Sequence, residues 1–447
     1  MTSPQAKGRT RGRQRPGKQL GWLTCTCLLA GAALAQTEAP EPVPAVPAAE
    51  SAPQNDTASY QQRVDATTQQ HGKNHLSTAE AYTDLADAQR RAGKHEEAAQ
   101  SYTTAVEIYR AIDGPFTPLA IPVLMSLGDN YREARDGVNA ITAYNEARTV
   151  NRRVYGLLNE AQIPMLDKLS ATMLDLNRPA EAEQQQLDAL QIVERSWPPE
   201  SDQALGAIYK YAQWLHERGL FQFERDQYDR ARRVIEEHYG KNDVRLATPL
   251  LGIGNSFRAH RIPDGQGLDA LETAVELLAA QPTRDPRAIA TALRDLGDWQ
   301  VAFNKVGYNG SEYRRAWQLL GEVPDGDRLR REWFTGPVFV LREPISLRGI
   351  SDDPKAPMGH VLVRFDVDRN GQTSNVTIVE SDPPGLKDEA VSTQIRRSRF
   401  RPQMVDGEIV NGEGLGLRLT FQYKTDATAS NDDASKKSRR SRRKNDN

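Results

Sequence analysis

From Tyr60 onward the apolar positions recur at helical spacing, and near Pro324 the pattern changes to alternation at every second residue. Within the helical part the chain repeats itself. The triplets Leu85-Ala86-Asp87, Leu127-Gly128-Asp129, Leu169-Ser170-Ala171, Tyr211-Ala212-Gln213, Ile253-Gly254-Asn255 and Leu296-Gly297-Asp298 follow one another at steps of 42, 42, 42, 42 and 43 residues. Each sets a large apolar residue before a small one, the combination a helix needs where a neighbour crosses closely. A second column keeps the same step at Ala105, Ala147, Ala189, Ala231, Ala274 and Ala316. Tyr102, Tyr144, Tyr228 and Tyr313 precede four of these alanines by three residues and share their helical face. The one-residue offset falls near Gly265 to Gly267. Two coupled columns of this kind predict antiparallel helix pairs stacked on one another.

Beyond Pro324 the pattern predicts a small mixed domain. Val338 to Leu341 is a short apolar run, and Val361, Val363, Phe365 and Val367 alternate with Leu362, Arg364 and Asp366 as in a half-buried strand. A turn at Asp368-Arg369-Asn370-Gly371 leads to a return strand over Val376 to Val379. Asp366, Asp368, Asn370 and Gly371 also begin like a calcium loop. Thr377 stands where the bidentate acid would be required, so the segment reads as a hairpin and carries no metal. After Pro383-Pro384-Gly385, Leu386, Ala390 and Val391 mark a helix running to about Ser398. Phe400-Arg401-Pro402, a turn at Asp406-Gly407 and Ile409-Val410 follow. The last strand is the clearest: Leu415, Leu417, Leu419, Phe421 and Tyr423 alternate with Gly416, Arg418, Thr420 and Gln422.

The flanks are of a different kind. Lys7, Arg9, Arg11, Arg13, Arg15 and Lys18 precede an apolar run from Leu20 that ends in Ala33-Leu34-Ala35, the order and composition of a secretory signal peptide. An uncleaved inner-membrane anchor is the alternative, since the run is only slightly shorter than a membrane span. Both cysteines, Cys25 and Cys27, lie inside it, so a mature chain has no thiol for disulfides, catalysis or metal. Its removal takes the formal charge from -2 to about -8, which argues against nucleic acid as a partner. A Pro/Ala-rich linker follows, and the far end crowds Lys436, Lys437, Arg439, Arg440, Arg442, Arg443 and Lys444 into a tail expected to be disordered. Hydrophobic residues make up 38% and charged residues 26% of the chain, and the mean hydropathy of -0.66 suits a surface-rich repeat array.

The paired columns, together with Ala98, Ala140 and Ala182, resemble the tetratricopeptide repeat in the 42-residue form of kinesin light chains. Glu224 and Asn309 depart from it where a small residue is expected, and Gln89 and Gln300 replace the usual aromatic. The resemblance implies that the first helix of each repeat lines a concave groove. Carried over residue by residue, the groove positions are Asp87, Arg90, Arg91, Asp129 and Arg132 early, Tyr209, Gln213 and His216 in the middle, and Arg258, Arg294 and Asp298 late. A docking surface for a protein and a merely solvated helix face are both open for them.

The order of hairpin, helix and closing strand resembles the C-terminal domain of TonB energy transducers. The residues that carry this are Gly359-x-Val361-x-Val363-x-Phe365, Gly371, Val376-x-Ile378-Val379-x-Ser381, Leu386 to Ala390, Phe400-x-Pro402, Gly407 and the last strand. In that family the last strand supplies an edge for a short peptide of an outer-membrane receptor. The resemblance thus implies strand pairing along Leu415, Leu417, Arg418, Leu419, Thr420, Phe421, Gln422 and Tyr423. An ordinary αβ domain with an internal last strand is the alternative. The N-terminal run lacks the polar residue that couples a transducer helix to its motor, and the Pro-rich stretch is short, so energy coupling is not implied.

No HExxH pair, Gly-x-Ser-x-Gly elbow or nucleotide-binding loop is present, and no cofactor is expected. The expectation is therefore a mainly α protein without catalytic function. Residues 1–35 are read as a signal peptide, 36–58 as linker and 59–323 as a tetratricopeptide α-solenoid of six repeats plus a leading helix. A connector at 324–354, a small α+β (ββαβ) TonB-like domain at 355–425 and the basic tail at 426–447 complete it. A periplasmic binding protein in support of TonB-dependent transport and an envelope scaffold that binds peptidoglycan or an assembly component are the two functions considered. Membrane contact is expected only if the N-terminal segment stays uncleaved.

Overall fold

The computed structural model describes Trp22–Thr24 and residues 57–303, 308–346, 349–351 and 356–424. The signal segment apart from Trp22–Thr24, nearly all of the linker and the basic tail lie outside the described residues. The chain divides into two compact units at Ile253 and Gly254, within a helix of the fifth repeat, and the Trp22–Thr24 strand belongs with the second unit.

In the first unit a leading helix α1 (Thr57–His71) precedes the helix pairs α2 (Leu76–Arg91) and α3 (His95–Asp113), α4 (Ala120–Glu133) and α5 (Gly137–Tyr155), α6 (Ile163–Asp175) and α7 (Pro179–Ser196), and α8 (Asp202–Glu217) and α9 (Phe221–Tyr239). Each first helix ends in the same way. Gly93, Arg135, Asn177, Gly219 and, in the fifth repeat, Arg261 all have positive φ, at a step of 42 residues. The amide of each reaches the carbonyl three residues back, and the next amide reaches five back, as Gly93 to Arg90 and Lys94 to Gln89. That is a left-handed helix stop that satisfies the last carbonyls and turns the chain.

The two sequence columns meet inside the first two pairs. The Tyr102 hydroxyl donates to Asp87 and that of Tyr144 to Asp129 at 2.6 Å, and both rings are fully buried. A Cβ on Gly128 would stand 2.3 Å from the Tyr144 ring, which is why the residue after the large apolar one is small. One continuous core runs through Ala79, Tyr102, Leu124, Ala147 and Met165.

The fifth repeat is formed by α10 (Ala247–Ala259), which holds the boundary, and α11 (Gly265–Ala279), and the sixth, within the second unit, by α12 (Pro286–Phe303) and α13 (Ser311–Leu320). The stretch expected to be a connector holds a further helix, α14 (Gly326–Phe334), which buries Leu329, Trp333 and Phe334. The four-stranded sheet has the order β1-β8-β3-β4, with β1 (Trp22–Thr24), β3 (Met358–Val367), β4 (Thr373–Asp382) and β8 (Gly412–Gln422). Strands β3 and β4 are the expected hairpin, β8 runs antiparallel to β3, and β1 lies parallel to β8 on its other side. Helix α15 (Asp388–Arg397) covers one face with Val391 and Ile395, against Val363, Phe365, Leu417 and Leu419. Two short pairs complete the unit: β2 (Phe339–Leu341) with β5 (Arg399–Phe400), and β6 (Gln403–Val405) with β7 (Glu408–Val410). In the β3–β4 turn only Gly371, not Asn370, takes positive φ. The Asp368 carboxylate accepts the amides of Asn370 and Gln372 at 2.8 Å, holding the turn without an Asn-Gly pair of left-handed residues.

Candidate functional site

The residues expected to line the groove are, for the most part, tied to their own chain. Asp87 and Asp129 hold the tyrosines of their own repeats, and Lys168 adds a 2.7 Å ion pair to Asp129. Arg90 reaches Glu133 and Arg132 reaches Asp175, each at 2.7 Å, so equivalent arginines brace successive first helices. Arg91 is exposed. Tyr209 packs beside Tyr228 with ring centroids 6.1 Å apart, and burial, with Tyr228 next to it, pushes its hydroxyl up to about 12. Gln213 bonds to Glu217 on its own helix at 3.3 Å. Glu224, out of pattern at an alanine position, is buried and faces the His216 ring nitrogen at 3.0 Å.

The late positions differ from the expectation of an open groove. Asp298 is buried and receives Nε and Nη2 of Arg401, both at 2.8 Å, while the third arm of Arg401 donates to the Trp333 carbonyl at 3.0 Å. Tyr313 donates to the same carboxylate at 2.7 Å. Arg258 donates to the Val340 carbonyl at 2.8 Å, and Arg294 pairs with Asp295 and lies over the Trp333 ring. These three positions hold the chain's own C-terminal segments rather than facing a partner. Burial opposes the charge on Asp298, but the charge and hydrogen bonds of Arg401, with Arg258 and the Tyr313 hydroxyl, overcome it and keep the carboxyl below the usual range. Sequence reading did not find Arg401. It sits next to Phe400 and is one of four arginines between Arg396 and Arg401, so nothing local set it apart from its neighbours.

The expected pairing strand is in place as β8. Leu415, Leu417, Leu419 and Phe421 are buried against α15 and β3, while Arg418, Thr420 and Gln422 point to the other face. Its outer side is partly used. Gly416, Leu417 and Arg418 pair with Trp22, Leu23 and Thr24, and at the far end the Ser351 amide donates to the Gln422 carbonyl at 2.8 Å while Tyr423 bridges Ile350. The Thr420 hydroxyl between them is buried without a hydrogen-bond partner.

A cavity of about 260 Å³ opens between α7 and α8, walled by Ile163, Ala189, Leu190, Val193 and Ala207. Among the described residues no cluster of His, Cys, Asp and Glu could hold a metal, and no helix is long and apolar enough to cross a membrane.

Residues 58–111 match the family described as Tetratricopeptide repeat, and residues 356–423 match the Gram-negative bacterial TonB protein C-terminal family. No curated protein matches the chain. Among solved structures it is similar to BtubC (BKLC) from P. vanneervenii, with 16% identity, 61% of this chain and 91% of that chain covered, and a TM-score of 0.33. It is also similar to kinesin light chain nearly identical TPR-like repeats from Podosopora anserina, with 13% identity, 47% and 99% covered, and a TM-score of 0.34. A third is the C-terminal part of a TPR repeat-containing protein from Cytophaga hutchinsonii, with 12% identity, 60% and 91% covered, and a TM-score of 0.36. Both families are interaction or transducer folds. The chain joins a tetratricopeptide repeat array to a C-terminal domain of the Gram-negative bacterial TonB type.

Proposed function

We propose that this is a periplasmic TonB-like binding protein that supports TonB-dependent transport across the outer membrane. Its repeats dock one protein, and its C-terminal domain adds a partner strand at β8. The observation that carries the reading is the state of that strand: within a TonB-type domain, the outer side of β8 accepts a further strand, Trp22–Thr24, whose place over Gly416 to Arg418 falls to a partner strand once the signal segment is removed. Strand addition draws affinity from main-chain hydrogen bonds and register from alternate side chains, and the alternating face of β8 supplies both. The signal-like N-terminus supports export, and the absence of a coupling residue there is why binding, not energy transduction, is proposed.

A second reading, an envelope scaffold that binds peptidoglycan or an assembly component, is favoured by one observation. The far end of the outer side of β8 is engaged by the exported part of the chain itself, where Ser351 meets Gln422 and Ile350 meets Tyr423. Crosslinking in living cells from a photoreactive residue at Thr420 or Gln422 separates the two. An outer-membrane receptor product supports transport; wall or scaffold products alone overturn it.

A further inference from the structure

The third repeat breaks the tyrosine and aspartate columns together. Gln186 stands at the position of Tyr102, Tyr144, Tyr228 and Tyr313, and Ala171 at that of Asp87, Asp129 and Asp298. In the second repeat the Tyr144 ring packs in one cluster with Leu169 of the next first helix. The equivalent pair one repeat on is Gln186 and Tyr211, and both line the cavity between α7 and α8. On the facing helix Ala207 stands where the two preceding repeats bury Val123 and Met165. The space therefore follows from departures on both walls from the pattern of those two repeats. Protein interiors are otherwise close-packed, with few voids larger than a water molecule.

The polar groups around this cavity are nearly all taken by the protein. Glu160 accepts from Trp197 Nε1, Lys210 pairs with Asp167, and the Tyr211 hydroxyl donates to Glu183 at 3.0 Å. Gln186 is only 7% exposed; its Nε2 donates to Asp167 at 3.3 Å, while its Oε1 receives no donor among the described residues. Gln203, exposed at the mouth, is the other lining side chain without a partner there. An ion would find no free counter-charge. A neutral molecule meets the apolar wall of Ile163, Leu190, Val193 and Ala207 and one buried acceptor.

Size narrows the class further. A dry cavity of roughly 150 Å³ holds one benzene, so about 260 Å³ takes about ten non-hydrogen atoms. The group missing from the column is itself an aromatic ring carrying one donor. We infer that the α7–α8 cavity binds a small uncharged aromatic molecule of two fused rings, whose single N–H or O–H donates to Gln186 Oε1. The ligand is a free molecule and not an aromatic side chain of a partner. A peptide would bring main-chain donors and acceptors to the mouth, where Glu160, Lys210 and Tyr211 are already engaged. The site is separate from the first-helix groove and from β8, and it stands whether or not either of them docks a protein.

The test titrates indole into the purified full chain, read by ligand-observed NMR and by the thermal midpoint. Saturable binding at a single site is expected, with a midpoint that rises with indole concentration. Ala207→Met restores the side chain of the third repeat; it should weaken indole at least about tenfold and keep or raise the midpoint without ligand. At Gly206 an added Cβ meets nothing within 4 Å, so Gly206→Leu obstructs the mouth and gives the same reading should Ala207→Met fail to fold. Gln186→Leu isolates the hydrogen bond. It should weaken indole about fivefold and leave 1-methylindole, which has no donor, unchanged.

Absence of indole binding overturns the inference, as does binding that both filling variants leave intact. An equal response of indole and 1-methylindole to Gln186→Leu overturns the hydrogen bond and the ligand class with it. Indole-3-acetate binding as tightly as indole overturns the requirement for a neutral ligand. Tighter binding of N-acetyltryptophanamide than of indole also overturns the inference, and assigns the cavity to a partner's side chain.

Discussion

Asp298 and Arg401, 103 residues apart in the chain, form a buried two-point ion pair, with Nε to Oδ1 and Nη2 to Oδ2 both at 2.8 Å. The pair fastens the strand after α15 to the first helix of the sixth repeat. The TonB-type domain, the sixth repeat and the fifth repeat from Gly254 onward lie in one unit, and the chain divides at Ile253 rather than at the change of periodicity.

Removal of one partner leaves the other buried and unpaired. Asp298→Ala is expected to cost about 3–5 kcal/mol in urea unfolding, whereas a double replacement of Asp298 and Arg401 by apolar residues of similar volume costs much less. Equal losses in the single and double variants would show that the pair does not hold the unit.

The same carboxylate sets an acid limit. Its folded pKa is depressed, so its contribution is complete above the unfolded carboxylate pKa of about 3.9 and is lost as pH falls through the folded value. Stability measured against pH should show this loss only in strongly acid solution. Asp298→Asn removes that part of the slope.

Two glycines in first helices are expected to respond in opposite directions. Gly128→Ala places a methyl 2.3 Å from the Tyr144 ring and should destabilise by about 1–3 kcal/mol. Gly206 meets nothing within 4 Å, so Gly206→Ala should gain up to about 1 kcal/mol of helix propensity. Chemical denaturation of both variants checks the contrast.

Gly371 combines positive φ with close contact, since a Cβ there would stand 2.3 Å from the Phe400 carbonyl oxygen and 2.5 Å from Val301. Gly371→Ala is expected to destabilise the second unit by about 1–3 kcal/mol, read as a lower thermal midpoint. A neutral result would mean that the turn relaxes away from α12.

The tyrosine and arginine contacts of the repeats should differ in weight. Tyr144→Phe leaves Asp129 without its buried donor and is expected to cost about 1–2 kcal/mol. Arg132→Gln breaks a pair whose side chains are 38% and 48% exposed, and should cost under about 1 kcal/mol, less in high salt.

Much of this architecture was legible in the chain itself. The 42-residue step, the large-small pairs and the Tyr-x-x-Ala column depend on which faces of neighbouring helices touch, and helical periodicity writes that into local spacing. Alternation did the same for β3, β4 and β8. Gly93, Asn177 and Gly219 announce the left-handed stop at the end of a first helix, but Arg135 and Arg261 occupy it equally. There the stacked helices impose the conformation and the residue's own preference is overruled. Asp87, Asp129 and Asp298 fill one column and look alike in sequence. Only the folded chain distinguishes them, because the first two are satisfied within or beside their own repeats, whereas the third is buried under Arg401. Position in a repeat determines which way a side chain faces; what meets it there depends on groups brought from elsewhere in the chain, and no local pattern records that encounter.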